Sequence, residues 1–363
     1  MPGLYIGLMS GTSMDGVDAV LLDTAGEHPV LISHVHHPLS AALRETLLAL
    51  NAPGYDELHR AAQAANALAQ AYASAIVALL ASTRTAPSDI AAAGCHGQTV
   101  RHRPDAGYTL QLLNGALLAE QSGISIVCDF RNRDIAAGGE GAPLVPAFHH
   151  AVFAHPQKSR VIVNIGGMAN ITCLPAAGAV TGFDCGPGNA LMDGWIMAHL
   201  QRPYDAGGAW AAGGHLLPEL LDRLLAHEFF RRAPPKSTGR ETFNLAWIRN
   251  ALSDQGSPAD VQATLCELTA SAVCRALDQY CADAREVFLC GGGARNDQLR
   301  ARISALLPQR RVATTDELGI AAEAVEAAAF AWLAARTLAG EPGNLPVVTG
   351  ARGPRVLGAI YPA

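Results

Sequence analysis

One arrangement occurs twice along this chain and narrows the folds open to it. Near the start, two runs rich in Ile, Leu and Val, Leu4 to Met9 and Val17 to Asp23, flank Ser10-Gly11-Thr12-Ser13-Met14-Asp15-Gly16. Such runs read as strands, and the small polar stretch between them as the turn of a hairpin. Near the middle, Arg160 to Ile165 and Ile171 to Leu174 flank Gly166-Gly167-Met168-Ala169-Asn170 in the same way. A unit repeated across about half of a 363-residue chain predicts two related domains, each with its own core. Their equivalent turns would then face one another over a cleft that holds ligand. The expected boundaries are 1–135 with a C-terminal return at about 345–363 for the first domain, and 136–344 for the second.

Around the repeats, strand and helix patterns alternate. Val30 to Leu39, Ile90 to Cys95, Tyr108 to Leu113, Ile124 to Asp129 and Glu286 to Cys290 read as strands. From Leu58 to Ala81, apolar residues recur at steps of three and four, including Leu68, Tyr72, Ile76 and Leu79, so this segment is an amphipathic helix. Further helices are expected near Gly115 to Gln121, Gly188 to Leu200, Leu216 to Arg232, Ala263 to Ala282, Asp297 to Leu307 and Ala321 to Ala339. Val356 to Ile360 reads as a strand returning to the first domain. The expected class is α/β.

Composition removes several functions. A formal charge of −6, with no Lys/Arg run longer than a pair such as Arg231-Arg232, argues against a nucleic acid partner. The start lacks a cationic leader, and no stretch of about 18 apolar residues runs uninterrupted, so neither a signal peptide nor a membrane span is expected. Eight cysteines without a Cys-x-x-Cys pair read as reduced thiols of a cytosolic protein, with Cys266, Cys274 and Cys281 at helical spacing in a core.

Several segments carry residue types suited to chemistry. Gly11 to Asp18 combines two glycines, two hydroxyls and two carboxylates, so its backbone N–H groups can face a phosphate while Asp15 or Asp18 holds Mg²⁺. A plain hairpin turn explains it too, and it is no Walker A loop because the Gly-Lys-Ser/Thr ending is missing. A nucleophile elbow built on Ser13 fails because Asp15 stands where glycine is needed and a strand follows instead of a helix. Asp184, in Phe183-Asp184-Cys185-Gly186-Pro187-Gly188-Asn189, ends a strand before a helix; it reads as a proton acceptor or, more plainly, as a turn cap. Gly291-Gly292-Gly293-Ala294-Arg295-Asn296 links a strand to a helix, as a nucleotide-contacting turn or a tightly packed connection would. His96-Gly97-Gln98-Thr99 and Arg131-Asn132-Arg133-Asp134 end strands on the ligand edge of an α/β sheet, where ordinary loop polarity is the alternative. His34, His36 and His37 do not suggest a metal site, because strand alternation sets His37 apart from the other two.

Taken together, Gly7 to Asp18, His96 to Thr99, Gly141 to Pro146, Asn164 to Thr172 and Phe183 to Asn189 resemble the anhydro-N-acetylmuramic acid kinase family, in order and spacing, through to Ile360-Tyr361-Pro362. The resemblance implies two duplicated actin-like ATPase domains of ribonuclease H-like fold around a central nucleotide cleft. ATP would be held by Gly11, Thr12, Ser13, Met14, Asp15, Gly16, Val17 and Asp18, by Asn164, Gly166, Gly167 and Asn170, and by Gly291, Gly292, Gly293 and Asn296. The sugar would meet His96, Gln98, Arg131, Asp134, Gly188 and Asn189, with Asp184 and Glu326 catalytic and Mg²⁺ on Asp15 or Asp18. The implied reaction takes 1,6-anhydro-N-acetylmuramic acid, water and ATP to N-acetylmuramic acid 6-phosphate and ADP during peptidoglycan recycling. A cytoplasmic bacterial homodimer is implied as well. The alternatives are another carbohydrate kinase acting on a free hydroxyl and a non-catalytic actin-like nucleotide-binding protein. The sequence departs from the family at Cys185, where threonine is expected, and at Glu140, where glutamine is expected.

Overall fold

The computed structural model describes residues 3–11, 14–26, 28–252 and 256–363. Two compact units emerge, Met1–Val152 with Ala324–Ala363, and Phe153–Glu323. Their strands, in chain order, are β1 (Leu4–Met9), β2 (Gly16–Asp23), β3 (Val30–Pro38), β4 (Ile90–Cys95), β5 (Gln98–Arg103), β6 (Tyr108–Leu112) and β7 (Ile126–Cys128). There follow β8 (Arg160–Ile165), β9 (Met168–Leu174), β10 (Thr181–Pro187), β11 (Glu286–Cys290), β12 (Arg311–Thr314) and β13 (Ala359–Tyr361).

The first unit is built on the sheet β13-β7-β4-β1-β2-β3. β1, β2 and β3 form an antiparallel meander, while β4 runs parallel to β1 on its other side and β7 parallel to β4. Alternation along β1 sends Ile6 and Leu8 into one core with Leu68, Tyr72, Ile76 and Leu79 of the helix Glu57–Thr83. Gly7 and its register partner Gly94 on β4 face the other way. There the helix Val325–Leu338 lies so close that a Cβ on Gly7 would land on the Ala327 carbonyl, and one on Gly94 on the Phe330 carbonyl. Two paired glycines thus let helix backbone touch sheet backbone.

The second unit repeats the plan in the sheet β10-β9-β8-β11-β12. Again the first three strands form an antiparallel meander, and the next two lie parallel to the first on its other side. The helix Pro258–Tyr280 packs on β9 and β10, and Leu265, Leu268 and Leu277 are among its buried residues. It starts at a capping box in which Ser257 and Asp260 satisfy each other's backbone N–H groups. The same strand order and polarity in both units make this a duplicated ribonuclease H-like fold of the actin-like ATPase kind, as expected.

Other details differ from the sequence reading. The compact units divide at Val152 and Glu323 instead of 135 and 344, because the helix Val325–Leu338 belongs with β1 and β4. The segment Leu216 to Arg232 is not one helix: Pro218–Leu225 ends, and His227, whose ring accepts the Phe229 N–H, starts a separate turn. Met168 to Asn170 belongs to β9 and not to a turn, and β5 pairs with β6 in a hairpin the pattern did not announce. Cys173 and Cys281 lie side by side, Cα atoms 6.1 Å apart, a proximity the sequence reading did not foresee. The end of the helix packed on β9 brings them together, and the other six cysteines are free and buried. The helix Glu57–Thr83 is long and apolar enough to cross a membrane, but its apolar stripe, Leu68, Tyr72, Ile76 and Leu79 included, is buried in the first unit's core.

Candidate active site

In the first unit, the turn between β1 and β2 is held from below. Gln98 is buried; its side-chain carbonyl accepts the Ser10 hydroxyl, and its Nε2 donates to the Gly11 carbonyl at 3.3 Å. Sequence reasoning expects Gln98 against substrate; in the structure its side chain anchors the turn together with Ser10, which the sequence reading did not single out. Met14 is buried with φ 53°, a left-handed conformation that bends the chain toward β2, and its N–H donates to Gly11 O at 3.2 Å. Thr12 and Ser13 lie outside the described residues. Asp15 is exposed, and Gly16 and Val17 are buried at the start of β2.

Asp18 has company that the sequence did not reveal. His34 Nε2 and His36 Nδ1, both on β3, each lie 3.0 Å from Asp18 Oδ1. Burial pushes the Asp18 carboxyl up, but hydrogen bonds and charge from the two histidines outweigh it and hold the carboxyl below its ordinary value. The two histidines set aside as bland are therefore the partners of a site residue. Alternation, the signal used to separate them from His37, is also what puts them on one face.

Three further residues of the first unit form a cluster. Arg131 donates to His96 Nε2 at 3.0 Å and to the Gly141 carbonyl at 2.9 Å. Burial, reinforced by the Arg131 charge, drives the His96 ring down to about 3, so it is a neutral acceptor. Burial also lowers Arg131 to about 10, against the opposing pull of Glu326 and Asp134. Glu326, in the first turn of the helix Val325–Leu338, is thus electrostatically coupled to Arg131. Asp134 plays a different part from the one expected. It is fully buried, and its carboxylate accepts from Gly141 N at 2.9 Å, Asn344 Nδ2 at 2.6 Å and Thr349 Oγ1 at 2.8 Å. With three donors it has little left for a sugar, and it ties the glycine-rich loop to the C-terminal segment.

In the second unit, three glycine motifs meet. Gly188 N donates to Gly167 O at 3.0 Å and Asn189 N to Gly166 O at 2.8 Å, while a Cβ on Gly188 would strike the Gly166 carbonyl. Gly291, at φ 77°, and Gly293 press on Asn164 and Ile165, where a side chain would collide. Gly292 lies at the same bend, where a Cβ would make only ordinary contact with Asn189 Nδ2. Asn189 Nδ2 reaches Ile165 O at 3.3 Å, so Asn189 does not cap its helix and belongs with the glycine turns. Asn296 caps the helix that follows, its Oδ1 accepting Leu299 N at 3.0 Å.

Beside these turns, ladder pairing sets Asn164, Asn170 and Asp184 side by side across β8, β9 and β10. A bulge follows Asp184, and Cys185 turns away, its thiol donating to Ala169 O at 3.2 Å. Asp184 keeps some solvent access, yet protein surrounds most of its carboxylate. Desolvation, with a contribution from Glu241, raises it to about 7 despite the Thr238 N–H, which donates to Oδ2 at 2.9 Å, and the Lys236 charge. Asp184 N donates in turn to Lys236 O at 3.1 Å. The segment Lys236 to Glu241 was missed by sequence reasoning; Lys-Ser-Thr-Gly-Arg-Glu reads as a polar loop until folding lays it along β10. Of the two departures, Cys185 faces away from the site and Glu140 is exposed.

The profile of a family described as anhydro-N-acetylmuramic acid kinase matches residues 3–363. A protein of that name from Nitrosospira multiformis is 56% identical over 361 residues, covering 99% of both chains. Another from Nitrosomonas europaea is 53% identical with the same coverage, and one from Bordetella pertussis is 54% identical over 100% of this chain and 97% of its own. Among solved structures, component A of (R)-2-hydroxyglutaryl-CoA dehydratase from Acidaminococcus fermentans aligns at a TM-score of 0.49 and 13% identity over 92% of this chain and 98% of its own, too weakly to bear on function. The profile spans almost every residue and the relatives are more than half identical end to end: the chain belongs to the anhydro-N-acetylmuramic acid kinase family.

Proposed function

We propose that this protein opens 1,6-anhydro-N-acetylmuramic acid with water and phosphorylates it from ATP, giving N-acetylmuramic acid 6-phosphate and ADP in peptidoglycan recycling. Membership in the family supports the substrate. The observation that carries the chemistry is Asp184, a carboxylate raised to about 7 beside the glycine turns of the second unit. A base is most effective with a proton affinity near the working pH.

In the anhydro sugar, O6 is bonded to the anomeric carbon and has no proton to remove. Asp184 therefore takes a proton from water as the water oxygen bonds to the anomeric carbon and the bond from that carbon to O6 breaks. The electron pair left on O6 attacks the γ-phosphorus, whose bond to the bridging oxygen breaks to release ADP. The Thr238 N–H aims the carboxylate. Within the first unit, Arg131 and neutral His96, with Glu326 electrostatically coupled to Arg131, present donors and acceptors of the kind that bind hydroxyl and carboxylate groups.

ATP phosphates fit the glycine turns, where side chains would collide with backbone and main-chain N–H groups can approach an anion. Asp15 and Asp18 are oxygen donors of the kind Mg²⁺ prefers, and His34 and His36 engage Asp18. When bound, the ion would offset charge on the transferred phosphoryl group. A cytoplasmic homodimer is proposed on the family resemblance alone. Mass spectrometry of products formed in ¹⁸O-water tests the reaction. Label at the anomeric hydroxyl is expected; unlabelled sugar phosphate, or phosphorylation of an ordinary free-hydroxyl sugar in preference, would refute it.

A further inference from the structure

Within the second unit a cavity of about 490 Å³ opens on the face of β10 opposite Asp184. The orientation follows from alternation: Phe183 stacks edge-on against Tyr280 of the helix Pro258–Tyr280, ring centroids 5.0 Å apart, and Cys185 shares that cavity-lining side. Its walls include Arg231, Lys236, Arg275, Asp278, Gln279 and Tyr280.

The charges do not balance. Asp278, the carboxylate of the lining, is engaged by Arg310 at 2.8 Å. Arg231 and Arg275 form no ion pair among the described residues. Lys236 is half-buried, with Nζ 4.7 Å over the Phe229 ring and 3.2 Å from the Phe229 carbonyl, and it too has no ion-pair partner among the described residues. Burial lowers its proton affinity, with Arg232 adding to the effect and Cys185 and Asp184 opposing it. A half-buried ammonium and two exposed guanidiniums that form no ion pair among the described residues line the same cavity, so three cationic groups are available there to an anion.

We propose that this cavity binds a hexose phosphate, its phosphate dianion held by Arg231, Lys236 and Arg275. Guanidiniums grip phosphate oxygens in pairs, and the space is ample for a sugar ring, to which Gln279 and Tyr280 present an amide and a phenol. The site lies apart from the Asp184 carboxylate yet shares a segment with it, since the Lys236 carbonyl accepts the Asp184 N–H and Thr238 holds its side chain. An occupant would thus press on the strip of chain that aims the base, a route for control by a phosphorylated sugar.

Calorimetric titration of glucose 6-phosphate into the full chain tests this, for the wild type, Arg231→Ala, Arg275→Ala and the double variant. Saturable binding of one molecule per chain is expected, about tenfold weaker in each single variant and undetectable in the double one. Both arginines are exposed, so melting temperatures should hold, and turnover without the hexose phosphate should stay within about twofold of wild type. Absence of saturable binding, undiminished binding by the double variant, or collapse of turnover in either single variant overturns the proposal, the last by assigning these arginines to the reaction itself.

Discussion

Asp184 sits between opposing influences: surrounding protein and Glu241 favour its protonated form, Thr238 N–H and Lys236 its ionised form, and the former prevail. As a base it must be ionised, so kcat/KM should decline as pH falls below about 7, traced in a pH-rate profile. Asp184→Asn should lower turnover by about a thousandfold or more while leaving ATP binding near normal, measured by steady-state kinetics and nucleotide titration. The same residue bears on stability. A carboxyl raised from 3.8 to about 7 binds its proton more tightly folded than unfolded, so stability is lost as pH rises through that window. Asp184→Asn should therefore melt above the wild type at pH 8, with the advantage shrinking toward pH 4; a constant difference across that range in calorimetric scans would sink the reading.

Between elements, the tightest fit is the helix Val325–Leu338 on β1 and β4 at Gly7 and Gly94. Because backbone, and not a flexible side-chain tip, occupies the space a Cβ would need, Gly7→Ala forces the helix off the sheet. A loss of about 3 kcal/mol or more is expected, read as a lower urea midpoint. Gly107→Ala is the control: φ is 80°, but nothing lies within 4 Å, so only backbone strain of about 1 kcal/mol applies. Strands such as β1, β4, β8 and β11 were legible because continuous apolar runs mark buried strands. The contact of helix and sheet was not, since a glycine in a strand looks alike whether it faces water or another backbone. The loop-anchoring bonds of Gln98 and Asp134 were hidden for a related reason. A polar residue near a strand end fits both ligand and loop anchor until its hydrogen bonds are known.

The two units differ in how the chain builds them. Phe153–Glu323 is continuous, whereas the other unit needs Ala324–Ala363 to supply a helix and the edge strand β13. The fragment 153–323 should therefore fold alone with dispersed amide resonances, and 1–152 should not, since Ala327, Ala328, Phe330 and Ala331 would be missing from its sheet. Order and spacing of local signals, strand runs and glycine turns, sufficed to establish duplication, class and family, because secondary structure follows periodicities a few residues long. Which side chains meet was settled by tertiary structure alone. Two histidines on β3 flank Asp18, a loop some fifty residues downstream aims Asp184, and three cations gather around a cavity. Hydrogen bonds and desolvation act over a few ångströms of space, and distance along a chain says nothing about distance through it.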